Sequence, residues 1–179
     1  MVRGTRYRSG DLAMWVVLDV QPNLIGGELG VARALAATVH AAAEHNLVLL
    51  ENHPRTPTLD SCVKSGSIWY FAEPQGSAYE TVRSIPLMIQ SHGGDCAHLS
   101  AWRLAELWRD DLRNFGERRS TCKVYWRSRC PSCTRLVEDG TRTCPHCRRS
   151  FLRPKRTFHA EVRRGADGEV EDWSRWTGM

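Results

Sequence analysis

Residues 93–114 read GGDCAHLSAWRLAELWRDDLRN. Gly93 and Gly94 close a turn that begins at Ser91 and His92, and a helical pattern follows them. Leu99, Trp102, Leu104, Leu107 and Trp108 fall on one side of a helix running from about Asp95 to Asn114. That side is expected to face a core. Asp95 or Gly94 suits the N-cap. Cys96 then lies in the first turn, where the positive end of the helix dipole lowers a thiol pKa and favours the nucleophilic thiolate. A cysteine at a helix start is more often simply a small buried residue, so the position alone does not make it catalytic.

Working upstream, Leu12–Val20 is β-prone, with Trp15, Val16, Val17 and Val20, and Gly26-Gly27 ends it. The Ala- and Leu-rich run Glu28–Asn46 predicts a helix. Leu47–Glu51 is a short buried strand candidate. Pro54 and Pro57 make residues 52–61 extended or turning. Ser67–Glu73, holding Ile68, Trp69, Tyr70 and Phe71, is another strand candidate. Ser77–Gln90 looks helical, with Pro86 kinking it or starting a new helix. Downstream, Thr121–Arg127 is a strand candidate. A hairpin pairs Thr157–Arg164 with Glu169–Trp173 around a turn at Gly165-Ala166-Asp167-Gly168.

The sharpest local signal lies between those strands. Cys130-Pro-Ser-Cys133 and Cys144-Pro-His-Cys147 are two CPxC knuckles separated by ten residues. Each tight loop offers two sulfurs, and Asp139-Gly140 is a good turn signal for a hairpin that brings the knuckles together. Four thiolates make a closed tetrahedral zinc site with no open position for water, so the expected cofactor is structural zinc. The bland alternative is two disulfides or a degenerate site. His146 reads as a spectator, and Cys122 as a strand residue packing inward. The seven cysteines are an odd number, which disfavours a fully disulfide-paired scaffold.

The 179 residues, 41% of them hydrophobic, suit one domain with a sizeable core. No run approaches the roughly 20 apolar residues of a membrane span. The basic start MVRGTRYRSGD is not followed by an apolar stretch, so no secretory signal is expected and a cytoplasmic location is. The net charge of +5 is concentrated. Between Arg118 and Arg156 there are twelve Lys and Arg against Glu138 and Asp139 alone, which leaves the rest of the chain mildly acidic. Arg148, Arg149, Arg153, Lys155 and Arg156 are therefore candidates for contact with nucleic-acid phosphates or a charged partner. A solvated basic face is the favoured reading of them.

The C-terminal hairpin adds a second constellation. Phe158, Ala160 and Val162 face one way on its first strand, and His159 and Glu161 the other. His159 and Asp172 share a face for any even-length loop, and a loop of Arg164–Asp167 sets them directly opposite. A carboxylate so placed can hold an imidazole in one tautomer, as a nucleophile–base–orienter triad requires. A surface histidine beside an ordinary acid is the plain alternative.

The segments GGDCAHLSAWRLAEL (93–107) and FHAEVRRGADGEVEDWSRWTGM (158–179), with weaker likeness in ENHPRTPTL and IWYFAEP, resemble the transglutaminase-like cysteine proteins, especially small phage and prophage members. The resemblance covers about half the chain. It implies an α+β, papain-like core in which a Cys-bearing helix packs on an antiparallel sheet. It also implies Cys96 as nucleophile, His159 as base and Asp172 as orienter. This chain departs from that pattern at Ala97-His98 and at Trp173, and by the metal module set between the Cys helix and the His strand. The expected organisation is a domain of residues 1–127 and 151–179 with an inserted zinc ribbon at 128–150. An oxyanion hole would use the Cys96 amide and one more donor, with Gln90, His92 and Trp69 as candidates.

Three functions follow as expectations. The leading one is a cysteine-nucleophile enzyme that cleaves or exchanges an amide bond of a protein or a peptidoglycan peptide. The second is a virion or assembly protein that uses the fold as a scaffold for phage structural partners. The third is a nucleic-acid-binding zinc module. No membrane partner is expected.

Overall fold

The computed structural model describes residues 15–19, 27–71, 79–133, 135–138, 141–151 and 155–171. Its elements run β1 (Trp15–Asp19), α1 (Gly27–Asn52), α2 (Leu59–Lys64), β2 (Trp69–Tyr70), β3 (Tyr79–Arg83), α3 (Ile85–Gln90), β4 (Gly93–Gly94), α4 (Cys96–Phe115), β5 (Thr121–Arg129), β6 (Leu136–Val137), β7 (Lys155–Arg163) and β8 (Val170–Glu171). Helices and short strands intermix up to α4, and the last four strands form one antiparallel sheet, so the fold is α+β.

Two sequence expectations change. Leu47–Glu51 is the end of α1, not a strand. Leu35, Val39, Ala42, Ala43, Leu47 and Leu50 are buried at helical spacing, while Val48 is 53% exposed. Exposed Val48 among buried Leu47, Leu49 and Leu50 fits neither a fully buried strand nor strict strand alternation. Residues 77–90 are not one helix either. β3 pairs antiparallel with β1, Val82 opposite Val16. A new helix, α3, then starts at Ile85, with Pro86 in its first turn, where the missing N–H costs nothing. The Asn46 side chain on α1 accepts the Ile85 N–H at 3.0 Å and ties the two helix segments together.

The main sheet has the order β6-β5-β7-β8. β5 and β7 pair over nine residues, from Thr121 with Arg163 to Arg129 with Lys155. α1, α4 and one face of this sheet enclose the core. Trp102, Leu99, Leu104 and Leu107 of α4 are fully or almost fully buried with Leu35 and Leu50 of α1 and with Cys122, Ala160 and Val162 of the sheet. Burying each such large side chain stabilises the fold by about 1.5–3 kcal/mol before entropy is counted.

α4 is delimited as the residue types dictate. Asp95 caps its start, accepting the N–H groups of Ala97 and His98, and Gly116, at φ 73, ends it in the left-handed conformation. Behind it, Asp111 accepts the N–H groups of Arg119 and Ser120. The Trp108 indole N–H donates to the Ser120 carbonyl. These bonds set the angle at which the chain leaves α4 for β5. No helix among the described residues is long and apolar enough to cross a membrane.

Candidate metal centre and the Cys96 segment

β5 does not stop at the expected module boundary but runs to Arg129, directly into Cys130. β6, from within the module, pairs with that same end, Ser128 with Val137 and Arg129 with Leu136. The metal module is thus an extension of the main sheet. Its two knuckles are near repeats. The Cys130 N–H donates to the Arg135 carbonyl, and the Cys144 N–H to the Arg149 carbonyl, both at 3.0 Å. Val137 and Phe151, each seven residues after the first cysteine of its knuckle, pack with Cys130, Cys133 and Cys144 in a small separate core. Thr143 and Ser150 bridge the second knuckle, and Arg148 takes its left-handed turn at φ 59.

The sulfurs of Cys130, Cys133, Cys144 and Cys147 all lie within 4.8 Å of one another. Cys130 and Cys147 are 3.7 Å apart at sulfur, and Cys133 and Cys144 3.6 Å. Four donors about 2.3 Å from a tetrahedral ion would be about 3.8 Å apart, whereas a disulfide requires about 2.05 Å. No cysteine of the chain is in a disulfide. The donor set fits a metal ion.

The local electrostatics agree. N–H groups of Cys133 and Ser132 hold the Cys130 thiol down at about 6 against its burial. Burial opposes ionisation of Cys144, but the N–H groups of Cys147 and His146 outweigh it and lower its pKa. Cys133, despite an N–H bond from Arg135, is pushed up to about 11 by burial and by the surrounding thiols. Four adjacent thiolates repel one another, so full ionisation of the cluster needs a cation at its centre.

The second candidate lies at the start of α4. Cys96 is its first residue and only 7% exposed. Asp95 does more than cap. Its Oδ1 accepts the Ala97 and His98 N–H groups and lies 2.7 Å from His98 Nδ1. His98 is completely buried. A Cβ on Gly94 would lie 2.6 Å from the His98 Cβ, so only glycine admits the ring there. A Cβ on Gly93, at φ 146, would meet the Trp69 carbonyl at 1.9 Å, because β4 runs beside β2. The two glycines of the GGDC motif thus serve close backbone approach. Sequence reasoning passed over the Asp95–His98 pair. Its signal was the N-cap-to-third-residue spacing of a capping box, with histidine in the place of glutamate.

His159 lies in β7, 2% exposed, in register with Tyr125 and with Nε2 3.9 Å from Glu161 Oε1. Ser100, one turn along α4 from Cys96, donates to the carbonyl of Ala160, the neighbour of His159, at 3.4 Å. Strand alternation turns His159 and Glu161 away from the face of Ala160 and Val162, which joins the core of α4.

The hairpin closes through Gly165–Gly168, with the Arg164 N–H bonded to the Glu169 carbonyl. The register is Val162 with Glu171 and Arg163 with Val170, two residues displaced from one that sets His159 across from Asp172. Asp172 and Trp173 lie outside the described residues.

Of the oxyanion candidates, Gln90 ends α3 and is exposed, and His92 is exposed at φ 58. Trp69 is 58% exposed, and its N–H is committed to the His92 carbonyl. Of the basic candidates, Arg148 and Arg149 are exposed on the metal module, Lys155 and Arg156 begin β7, and Arg153 lies outside the described residues.

No family model matches this chain, and neither does any curated protein or solved structure. The likeness to transglutaminase-like proteins rests on the quoted residues alone.

Proposed function

We propose that this chain is a zinc-binding protein whose four-cysteine ribbon is structural and whose α+β domain is a cysteine-nucleophile enzyme acting on amide bonds. The sulfur spacing of 3.6 and 3.7 Å supports the first part. All four corners are supplied by protein, which leaves the ion no position for substrate or water. Metal analysis of the purified protein, with cobalt substitution read by its thiolate charge-transfer bands, tests this part. One equivalent of zinc and a tetrahedral four-sulfur spectrum are expected. A metal-free protein with an ordered module would overturn it.

The second part is supported by Cys96 at the capped start of a 20-residue helix whose Ser100 bonds to β7, the strand that carries His159. In this reading His159 takes the Cys96 thiol proton as the sulfur attacks the amide carbonyl, then passes it to the leaving amine as the C–N bond breaks, and a thioester remains for water or an amine to resolve. The substrate class is a protein or a peptidoglycan peptide. A crystal structure with an amide-mimicking inhibitor bound covalently to Cys96 tests this reading. A separation of Cys96 and His159 beyond about 10 Å, with no closing motion, would end the proposal, because proton transfer needs about 3 Å in the active state.

A further inference from the structure

In the α+β domain several arginines are held by carboxylates. Arg103 binds Glu106 and Glu171, Arg118 binds Glu44, Arg119 binds Glu117, and Arg164 binds Glu171. In the metal module the pattern reverses. Arg135, Arg142, Arg148 and Arg149 are all exposed, and among the described residues no carboxylate forms an ion pair with any of them. Elsewhere, exposed arginines without such a partner stand apart from one another, Arg55 in the turn after α1 and Arg113 on α4.

Two of the four are placed by the repeat itself. In each knuckle the carbonyl of one arginine, Arg135 or Arg149, accepts the N–H of the first cysteine. The metal cluster therefore fixes the backbone of both arginines and presents them as a related pair. Guanidinium groups held this way suit the oxygens of successive phosphates, which they bind bidentately.

Four thiolates around a divalent ion leave two negative charges, and nearby arginines would offset them. That offset does not exhaust the cations. Residues 118–156 hold twelve Lys and Arg against two acids of their own, Glu138 and Asp139, with Arg118 and Arg119 paired outside the module to Glu44 and Glu117.

We propose that the exposed face of the metal module binds the phosphate backbone of a nucleic acid, with Arg135 and Arg149 as paired phosphate contacts and Arg142 and Arg148 beside them. Backbone contacts of this kind carry no base information, so binding is independent of sequence. This interaction is separate from any chemistry at Cys96.

The test uses the full-length, metal-loaded chain with fluorescent single-stranded and duplex oligonucleotides of random sequence, titrated at 50 and 200 mM salt. Affinity is expected to fall steeply with salt. The double variant Arg135→Gln/Arg149→Gln is expected to keep its metal and bind more weakly. For duplex, its log–log salt slope should be shallower by about 1.8, so that the fourfold rise in salt costs it about 12-fold less affinity than it costs the parent. Arg55→Gln/Arg113→Gln, which removes two exposed arginines outside the module, should bind like the parent. Binding insensitive to salt, or equal loss in both double variants, would overturn the proposal. Loss of metal from Arg135→Gln/Arg149→Gln would assign the arginines to charge balance and overturn it as well. So would polyglutamate binding as tightly as the oligonucleotides with the same arginine dependence, since the surface would then be one for acidic proteins.

Discussion

The Ser100 hydroxyl on α4 donates to the carbonyl of Ala160 on β7 at 3.4 Å, one helical turn from Cys96 and one residue from His159. This bond ties the capped start of α4 to the central strand of the main sheet. The alternation of β7 turns the proposed base, His159, to the face opposite Ala160.

If Cys96 is the nucleophile, its thiol should differ sharply from Cys122. Burial, with a smaller contribution from Glu161, pushes Cys122 up to about 12, which makes it inert near neutrality. A small thiol-reactive probe at pH 7.5 should modify Cys96 in the metal-loaded, folded protein well before Cys122. Mass spectrometry of the labelled peptides measures this. Equal labelling of the two would favour a scaffold. With an amide substrate in hand, Cys96→Ala should abolish turnover and His159→Ala should cost nearly as much. Asp172→Asn should reduce turnover less, with fold and binding kept. Full turnover by Cys96→Ala would refute the enzyme reading.

The glycines of the GGDC motif should rank by what surrounds them. Gly93→Ala sets a Cβ against the Trp69 carbonyl in an unfavourable backbone region, and Gly94→Ala sets one against His98. Gly93→Ala should cost about 3 kcal/mol or more, as overpacking compounded by backbone strain, and Gly94→Ala about 3 kcal/mol as overpacking alone. Gly116→Ala, at φ 73 with nothing within 4 Å of the added Cβ, should cost only about 1 kcal/mol. Urea midpoints of the three variants give the order, and a Gly94→Ala protein as stable as Gly116→Ala would contradict this packing.

Removing one metal ligand should act locally. Cys133→Ser should release the ion and unfold residues 130–151, because binding supplies the folding energy of a module whose core, among the described residues, is Val137, Phe151 and the cysteines. The α1–α4 core should stay folded. Amide exchange should therefore speed up in the module while the middle of α4 stays protected. Protection retained throughout the metal-free module would show that the ion is not its main support.

Acid stability should turn on two carboxylates with opposite shifts. Burial works against the Glu171 charge, but Arg103 and Arg164 overcome it and hold its pKa below the ordinary value. Its stabilisation is thus present above its unfolded value, near 4.3, and is lost as pH falls through the lower folded value. Burial raises the Glu106 pKa despite the Leu59 N–H and Arg103, so protonation there favours the folded state as pH falls. The two contributions oppose each other in mild acid, and the Glu171 loss emerges only at lower pH. Glu171→Gln should cost about 2 kcal/mol near neutrality and flatten the decline of Tm at the acid end. An unchanged acid limb would remove Glu171 from the account.

The readable parts of the sequence were those governed by neighbours along the chain. The extent of α4 and its Asp95 cap follow from apolar spacing and capping chemistry. The metal ligands follow from two CPxC knuckles at hairpin distance, and the start of α3 follows from Pro86. Leu47–Glu51 was misread because a short apolar run suits strand and helix alike. Only the contact of α1 with α4 resolves the choice, by burying every third or fourth side chain. Ser77–Gln90 was misread because the strand character of β3 depends on pairing with β1, more than sixty residues away.

The sequence by itself determined which residues could bind a metal, cap a helix or act as a nucleophile, because those properties belong to side-chain chemistry and short spacings. The tertiary structure decided what meets what. It joined the metal module to the main sheet through β5 and β6, shifted the terminal hairpin register by two residues, and buried His98 against Gly94. Those outcomes depend on packing between distant segments, where exclusion of water and the pleat of a paired strand select the face and partner of each side chain.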